Sequence, residues 1–169
     1  MLSTSKICRA GIIASVYFVL TYFLQAIAFG PIQLRVSEAL TVLPLLFVEA
    51  VPALFVGCFL ANALFGLAVY DLTIGSFATL ISAVITYFVG KTVKNKHLKF
   101  VLGAIPPIAV NAFLIPLVIW LSGATEFAYF IQVAFIGAGQ FLAVFLVGGA
   151  VYYPLINMKE RNPSSTIFK

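Results

Sequence analysis

The sequence predicts an all-α integral membrane protein, a six-transmembrane-helix bundle with both termini cytoplasmic. Three observations carry that prediction. The chain has 169 residues, 63% hydrophobic and only 9% charged, whereas soluble domains hold about 25% charged residues. Its charge-free runs fall at 10–34, 50–70, 72–90, 100–125 and 127–158, each near the ~20 residues that a spanning helix needs. Every basic residue except Arg35 lies in the N-terminus, one mid-chain loop or the C-terminal tail, as expected when Lys and Arg stay on the cytoplasmic side. The formal charge of +5 therefore reads as membrane orientation, and nucleic acid is not an expected partner.

The first helix is placed at 7–28. Lys6 and Arg9 precede a charge-free run of 25 residues, longer than the ~7–15 apolar residues of a cleaved signal, so it is read as a retained span. The next piece, 36–48, is interrupted by Glu38 and rises only about 20 Å as a helix, against a hydrocarbon core of about 30 Å. It is nevertheless predicted as a separate helix. If 36–69 were one continuous helix, the basic loop KTVKNKHLK at 91–99 would fall outside. A turn at Glu49–Pro52 brings that loop and the tail, with Lys159, Arg161 and Lys169, back inside. Pro52 suits a helix start. The remaining helices are predicted at 52–69, 72–91, 99–121 and 127–154. External connections then fall at 29–35, Tyr70-Asp71 and Ser122–Glu126. Residues 1–156 form one membrane domain in the cell membrane, and 157–169 a polar, loosely ordered cytoplasmic tail.

No catalytic constellation is present. The one histidine, His97, sits in the basic loop and reads as solvated. Cys8 and Cys58 form no CxxC pair. HExxH, nucleophile-elbow and phosphate-loop patterns are absent from the sequence, so no enzymatic activity and no cofactor are expected. The informative residues are polar ones inside the spans. A charge at the bilayer centre costs at least about 2.5–3.5 kcal/mol, so Glu38 must be capped, paired or in a cavity. Its structural readings are a first-turn acid or an i,i+3 pair with Arg35. Its functional reading is a ligand contact, together with Asn62, Asn111 and Gln140; Gln25 and Gln132 lie at similar or more external depth. Asp71 suits an N-cap or a ligand contact, Glu126 a cap, and Glu49 the cytoplasmic turn. Tyr70 is the first candidate for stacking on a planar ligand, and Trp120 for an interfacial belt. On the first helix, Ala10, Gly11, Ala14 and Ser15 make a small-residue face that lets another helix approach closely.

Four stretches carry a resemblance to a known family: GPIQLRVSEALTVLPLLF, EAVPALFVGCFLANALFG, YDLTIGSFATL and VNAFLIPL. Over nearly its whole length the chain resembles the QueT family, substrate-binding (S) components of energy-coupling factor transporters for queuosine precursors. The resemblance implies a six-helix bundle with an outward pocket closed by the loop after the first helix. It also implies docking of that helix, through Ala10 and Ala14, onto a membrane-embedded coupling subunit driven by two cytoplasmic ATPases. The family often has Gly-Glu in the last helix where this chain has Gly139-Gln140, an amide in place of a carboxylate. The implied substrate is a planar 7-deazaguanine, whose N1–H and exocyclic NH₂ donors a carboxylate accepts in pairs. Glu38 is assigned to that edge, with Asn62, Asn111 and Gln140 for the other edges and Asp71 for an aminomethyl cation. Arg35 is a further candidate contact. A different vitamin, or a stand-alone proton-coupled carrier, are the alternative readings.

Overall fold

One segment, buried on every side, organises the molecule. The computed structural model describes residues 3–29, 33–65, 69–123, 127–162, 165 and 167–168. Among them all regular structure is helical. Helix α1 is Thr4–Phe23 and a short α2 is Gln25–Ala28. A 3-10 helix, Val36–Leu45, follows. Then come α3 (Ala50–Phe65), α4 (Ser76–Thr92), α5 (Lys96–Leu121), α6 (Tyr129–Phe141) and α7 (Gly148–Arg161). A π-helical segment, Asp71–Gly75, leads into α4, and another, Leu142–Val147, joins α6 to α7.

The 3-10 helix is the central post. Ser37 to Leu45 are all buried, and the post packs against α1, α3, α4, α5, α7 and the Leu142–Val147 segment. Helix α6 packs on α5 through Ile115, Ile119 and Ile136. Runs of 3-10 helix longer than 3–4 residues are uncommon. Two features here favour the tighter winding. Pro44 has no N–H to donate, and Thr41 Oγ1 donates to the Glu38 carbonyl at 2.6 Å. Glycines of the surrounding helices admit the post. A Cβ on Gly90 would lie 2.8 Å from the Leu45 Cα, one on Gly103 2.5 Å from the Leu45 Cδ2, and one on Gly148 3.0 Å from the Ala39 carbonyl oxygen. Each of these helices therefore keeps a residue that costs it about 1 kcal/mol in propensity relative to alanine, because backbone must meet post.

The outside of the bundle is apolar. Phe23, Leu64, Phe77, Phe88, Phe113, Phe130 and Leu146 are exposed, far more apolar surface than a soluble monomer presents. Trp120 is exposed near the end of α5. Four segments are long and apolar enough to cross a bilayer: Thr4–Phe23, Asp71–Thr92, Lys96–Leu121 and Tyr129–Arg161; Val36–Leu45 and Ala50–Phe65 are shorter. Lys6 and Arg9 at the start of α1, Phe47 to Glu49 after the post, Gly90 and Lys91 of α4, and Lys159 of α7 line a single cavity. The two ends of the chain thus lie at the same end of the bundle.

Several expectations are corrected. The first helix does not run from 7 to 28; it begins at Thr4 and breaks at Leu24, where φ is −105° and ψ 18°. The piece expected as a helix over 36–48 is a 3-10 helix ending at Leu45. The last helix continues to Arg161 rather than 154. Two described residues of the tail touch the bundle: Phe168 stacks on Phe47 with centroids 5.6 Å apart, and Arg9 Nη1 donates to the Ile167 carbonyl. His97 is the second residue of α5, with Nδ1 3.2 Å from the Tyr153 hydroxyl. Glu126 and much of the 122–126 connection lie outside the described residues.

The glycine contacts predict an asymmetry between substitutions of one type. Gly90→Ala drives a methyl into the Leu45 backbone, and overpacking of this kind costs about 1–3 kcal/mol. Gly11 has nothing within 4 Å of an added Cβ, so Gly11→Ala is neutral or stabilising by up to about 1 kcal/mol. Thermal unfolding of the two variants in detergent checks this: the midpoint should fall for Gly90→Ala and hold or rise for Gly11→Ala.

Candidate functional site

Several of the polar residues buried in the bundle meet at the first turn of the post. Val36-Ser37-Glu38 follows directly on the connection from α2, so Arg35 and Glu38 enter the core together. Glu38 is 1% exposed. The Tyr17 hydroxyl of α1 donates to its Oε1, and the Asn111 Nδ2 of α5 donates to its Oε2 at 3.1 Å. Beside it, Thr21 Oγ1 donates to Ser37 Oγ at 2.8 Å. Three elements distant in sequence, α1, the post and α5, thus meet at one carboxylate.

A second group is built around Arg35. Its Nη2 lies 3.3 Å from Asp71 Oδ1 and its Nη1 donates to Asn62 Oδ1 at 3.3 Å. The guanidinium also lies over the Phe29 ring, 4.6 Å from its centroid. Asn62 Nδ2 donates to the Asp71 carbonyl at 2.9 Å and to Ser76 Oγ at 3.3 Å. The π-helical turn at Asp71–Gly75 accommodates this arrangement. Gly75 is required there, since a Cβ would lie 2.9 Å from Asp71 Oδ1 and 3.1 Å from Asn62 Nδ2. Buried charge of this kind must be paired to be tolerated, and Arg35 with Asp71 meets that condition.

Glu38 differs from the other acids. Glu49 pairs with Arg9, Asp71 with Arg35 and Glu160 with Lys96. Among the described residues Glu38 alone of the acidic side chains has no cation within ion-pair distance; its two partners are neutral donors. Among the described residues three buried amide oxygens, Gln33 Oε1, Asn111 Oδ1 and Gln140 Oε1, have no hydrogen-bond partner, and Asn111 is the same side chain that donates to Glu38. Leaving such an atom buried without a partner costs about 1–3 kcal/mol. Gln33 also holds φ +47°, in the left-handed region that costs a non-glycine residue about 1–2 kcal/mol. Strain and unsatisfied acceptors of this kind gather at functional sites.

The structure brings together Arg35, Glu38, Asn62, Asp71 and Asn111, and buries Gln140 at the end of α6. It corrects one sequence reading: Arg35 pairs with Asp71, not with Glu38 three residues on. Of the other candidate ligand contacts, Asp71 is held by Arg35 and Tyr70 is 45% exposed. Gln25 is likewise exposed, whereas Gln132 is buried. Ala10 and Ala14 are half-buried and pack against the core that α1 shares with α3, where a Cβ on Gly57 would lie 2.8 Å from the Ala14 carbonyl oxygen. The outward small residues of α1 are Gly11 and Ser15. Sequence reasoning missed Tyr17 and Gln33. Tyr17 had a signal, since Ile13, Tyr17 and Thr21 recur every four residues on one face of α1 and all three are buried. Gln33 had none.

A family model described as QueT transporter matches residues 7–157. No curated protein and no solved structure matches the chain. The matched span runs from the first turn of α1 to near the end of α7, so it takes in the post and every residue of both polar groups. With the apolar exterior and several spanning helices, this makes the chain a multi-pass membrane protein with a role in transport rather than catalysis. It belongs to the QueT transporter family.

Proposed function

We propose that this chain is the substrate-binding membrane subunit of an ATP-driven importer of the energy-coupling factor type, and that it takes up a 7-deazaguanine precursor of queuosine. The observation that supports this reading best is Glu38 itself, a buried carboxylate that takes only the neutral donors Tyr17 and Asn111 and has no cation within ion-pair distance among the described residues. A guanine-type edge offers N1–H and an exocyclic NH₂ side by side, and a carboxylate accepts both. The oxygens of Asn111, Gln140 and Gln33 suit further donors of the same ligand. Binding would exchange the Tyr17 and Asn111 bonds to Glu38 for bonds from the ligand. Arg35, Asp71 and Asn62 would act as the buried wall that fixes the loop before the post.

The remaining architecture is read as six crossings with both termini cytoplasmic. The shared position of the two chain ends supports an even number of crossings, with the post and α3 as the short second and third. The outer face of α1 around Gly11 and Ser15, flanked by Ala10 and Ala14, is proposed to dock on a membrane-embedded coupling subunit, with two cytoplasmic ATPases supplying energy. The cation-free Glu38 favours one second reading, a stand-alone carrier in which this carboxylate exchanges a proton. Uptake by the chain alone, abolished by a protonophore, would select it.

Two expectations follow. Glu38→Gln should weaken binding of a 7-deazaguanine by roughly tenfold to a hundredfold, the equivalent of about 1.5–3 kcal/mol for a hydrogen bond to a charged group, without lowering the unfolding midpoint of the ligand-free protein. Calorimetric titration alongside a thermal melt measures both, and unchanged affinity would end the assignment. Ser15→Leu should leave ligand affinity intact yet reduce uptake in cells carrying the coupling subunits by an order of magnitude or so, because close helix approach depends on small residues.

A further inference from the structure

The end of the bundle that carries both chain termini holds a second feature, apart from Glu38 and the ligand proposed for it. A cavity of about 280 Å³ is lined by Lys6, Arg9, Lys91 and Lys159, with a single carboxylate, Glu49, among them. That carboxylate is already committed. Arg9 donates to it from Nε and lies against it through Nη2, while Arg9 Nη1 serves the Ile167 carbonyl. The three lysines have no carboxylate partner among the described residues. Lys91 Nζ sits 4.8 Å from the Tyr87 ring centroid and Lys159 Nζ 5.8 Å from that of Phe168. These rings are walls of the same cavity.

A second cavity, of about 250 Å³, adjoins the first. It shares Lys6, Val48 and Glu49 and continues along Ile7, Ala10 and Pro52. Its further walls are apolar, and Ile7 among them is exposed. A cationic pocket opening into an apolar groove has the polarity of an amphiphile: a phosphate at one end, hydrocarbon at the other. A water-soluble phosphate would use the first cavity and leave the second without purpose. Basic pockets between membrane helices at the cytoplasmic surface hold anionic headgroups in this way.

We propose that the pocket and groove form a binding site for one anionic phospholipid. Its phosphate lies among Lys6, Lys91 and Lys159, and an acyl chain lies along Ile7, Ala10, Val48 and Pro52. The rule that retains cations on the cytoplasmic side explains lysines at this end but not their convergence on a cavity with an apolar extension. The site makes no use of Glu38 or its ligand, so it stands or falls independently of the substrate.

Native mass spectrometry of the full chain in detergent, with phosphatidylglycerol and phosphatidylcholine added in equal amounts, tests the proposal. Phosphatidylglycerol should be retained in preference. Lys91→Gln with Lys159→Gln should reduce its retention by about fivefold for each lysine removed. Lys94→Gln with Arg161→Gln, which removes the same charge outside the cavity, should leave it unchanged. Ile7→Gln should weaken lipid retention through the groove alone. Equal retention of the two lipids, or equal loss in both double variants, would overturn the site as a property of general surface charge. Displacement of the lipid by millimolar inorganic phosphate, with no effect of Ile7→Gln, would overturn it in favour of a free phosphate.

Discussion

Burial of a ten-residue 3-10 helix on all sides is the constraint from which the rest of the structure follows. From Ser37 to Leu45 every residue of the segment is buried, so each of its neighbours must fit it. Gly90, Gly103 and Gly148 lie where α4, α5 and α7 meet it, and Leu45 is wedged between the first two. A thinner helix suits a bundle of this size, since its backbone stands closer to its neighbours than that of an α-helix. The consequence for chemistry is direct. Glu38, one turn into the post, cannot swing out to water, and its position is fixed by contacts along the whole length of Val36–Leu45.

The two ends of the bundle differ in what they do with charge. At the end carrying the chain termini, cations outnumber acids and are half-exposed or exposed. At the Arg35 end the charged groups among the described residues, Arg35, Glu38 and Asp71, are all buried and the acids are in excess. The post connects the two, with Arg35 at its head and Glu49 a few residues beyond its foot. Each of those residues forms an ion pair with a different helix or segment, Arg35 with Asp71 and Glu49 with Arg9. These pairs act as fasteners at either end of a segment that is otherwise held by apolar packing and by the hydrogen bonds at Ser37 and Glu38. A buried pair gives little net stability over an apolar substitute, yet breaking one by removing a single partner costs about 3–5 kcal/mol.

How much of this was legible in the sequence depended on whether charge marked it. The starts and ends of α3, α4 and α5 fell within a few residues of expectation, because Glu49, Asp71 and the 91–99 loop punctuate an otherwise apolar chain. Side-chain direction was not legible. In a membrane helix both faces are apolar, so periodicity does not distinguish core from lipid; that is why Tyr17 was passed over and Tyr70 preferred. The partner of Arg35 was misjudged for a related reason. Glu38 is three residues away in sequence, but winding the segment as 3-10 and turning Asp71 inward on a π-turn made the residue 36 positions away the nearer one. Ala10 and Ala14 showed a small face correctly but not which side of it Gly57 would occupy. The tail looked solvated because its composition is polar, although Phe168 alone is enough to seat it against Phe47.

Glu38 is costly where it stands. A carboxylate held in a low-dielectric interior loses several kcal/mol of solvation. Two neutral hydrogen bonds, from Tyr17 and Asn111, return part of that, at about 1.5–3 kcal/mol each for bonds to a charged group. A purely structural role would be served as well by glutamine, which keeps the shape and needs no such compensation. It would be served better by the arrangement adopted a few ångströms away, where Arg35 neutralises Asp71. The same protein therefore has a means of pairing a buried acid and does not apply it to Glu38. The unpaired oxygens of Asn111 and Gln140 repeat the pattern in neutral form. A cluster that consistently lacks donors is intelligible when the missing donors belong to a ligand that comes and goes. A planar heterocycle with adjacent N–H groups has that character, whereas an anionic solute would meet repulsion at the very residue around which the site is built.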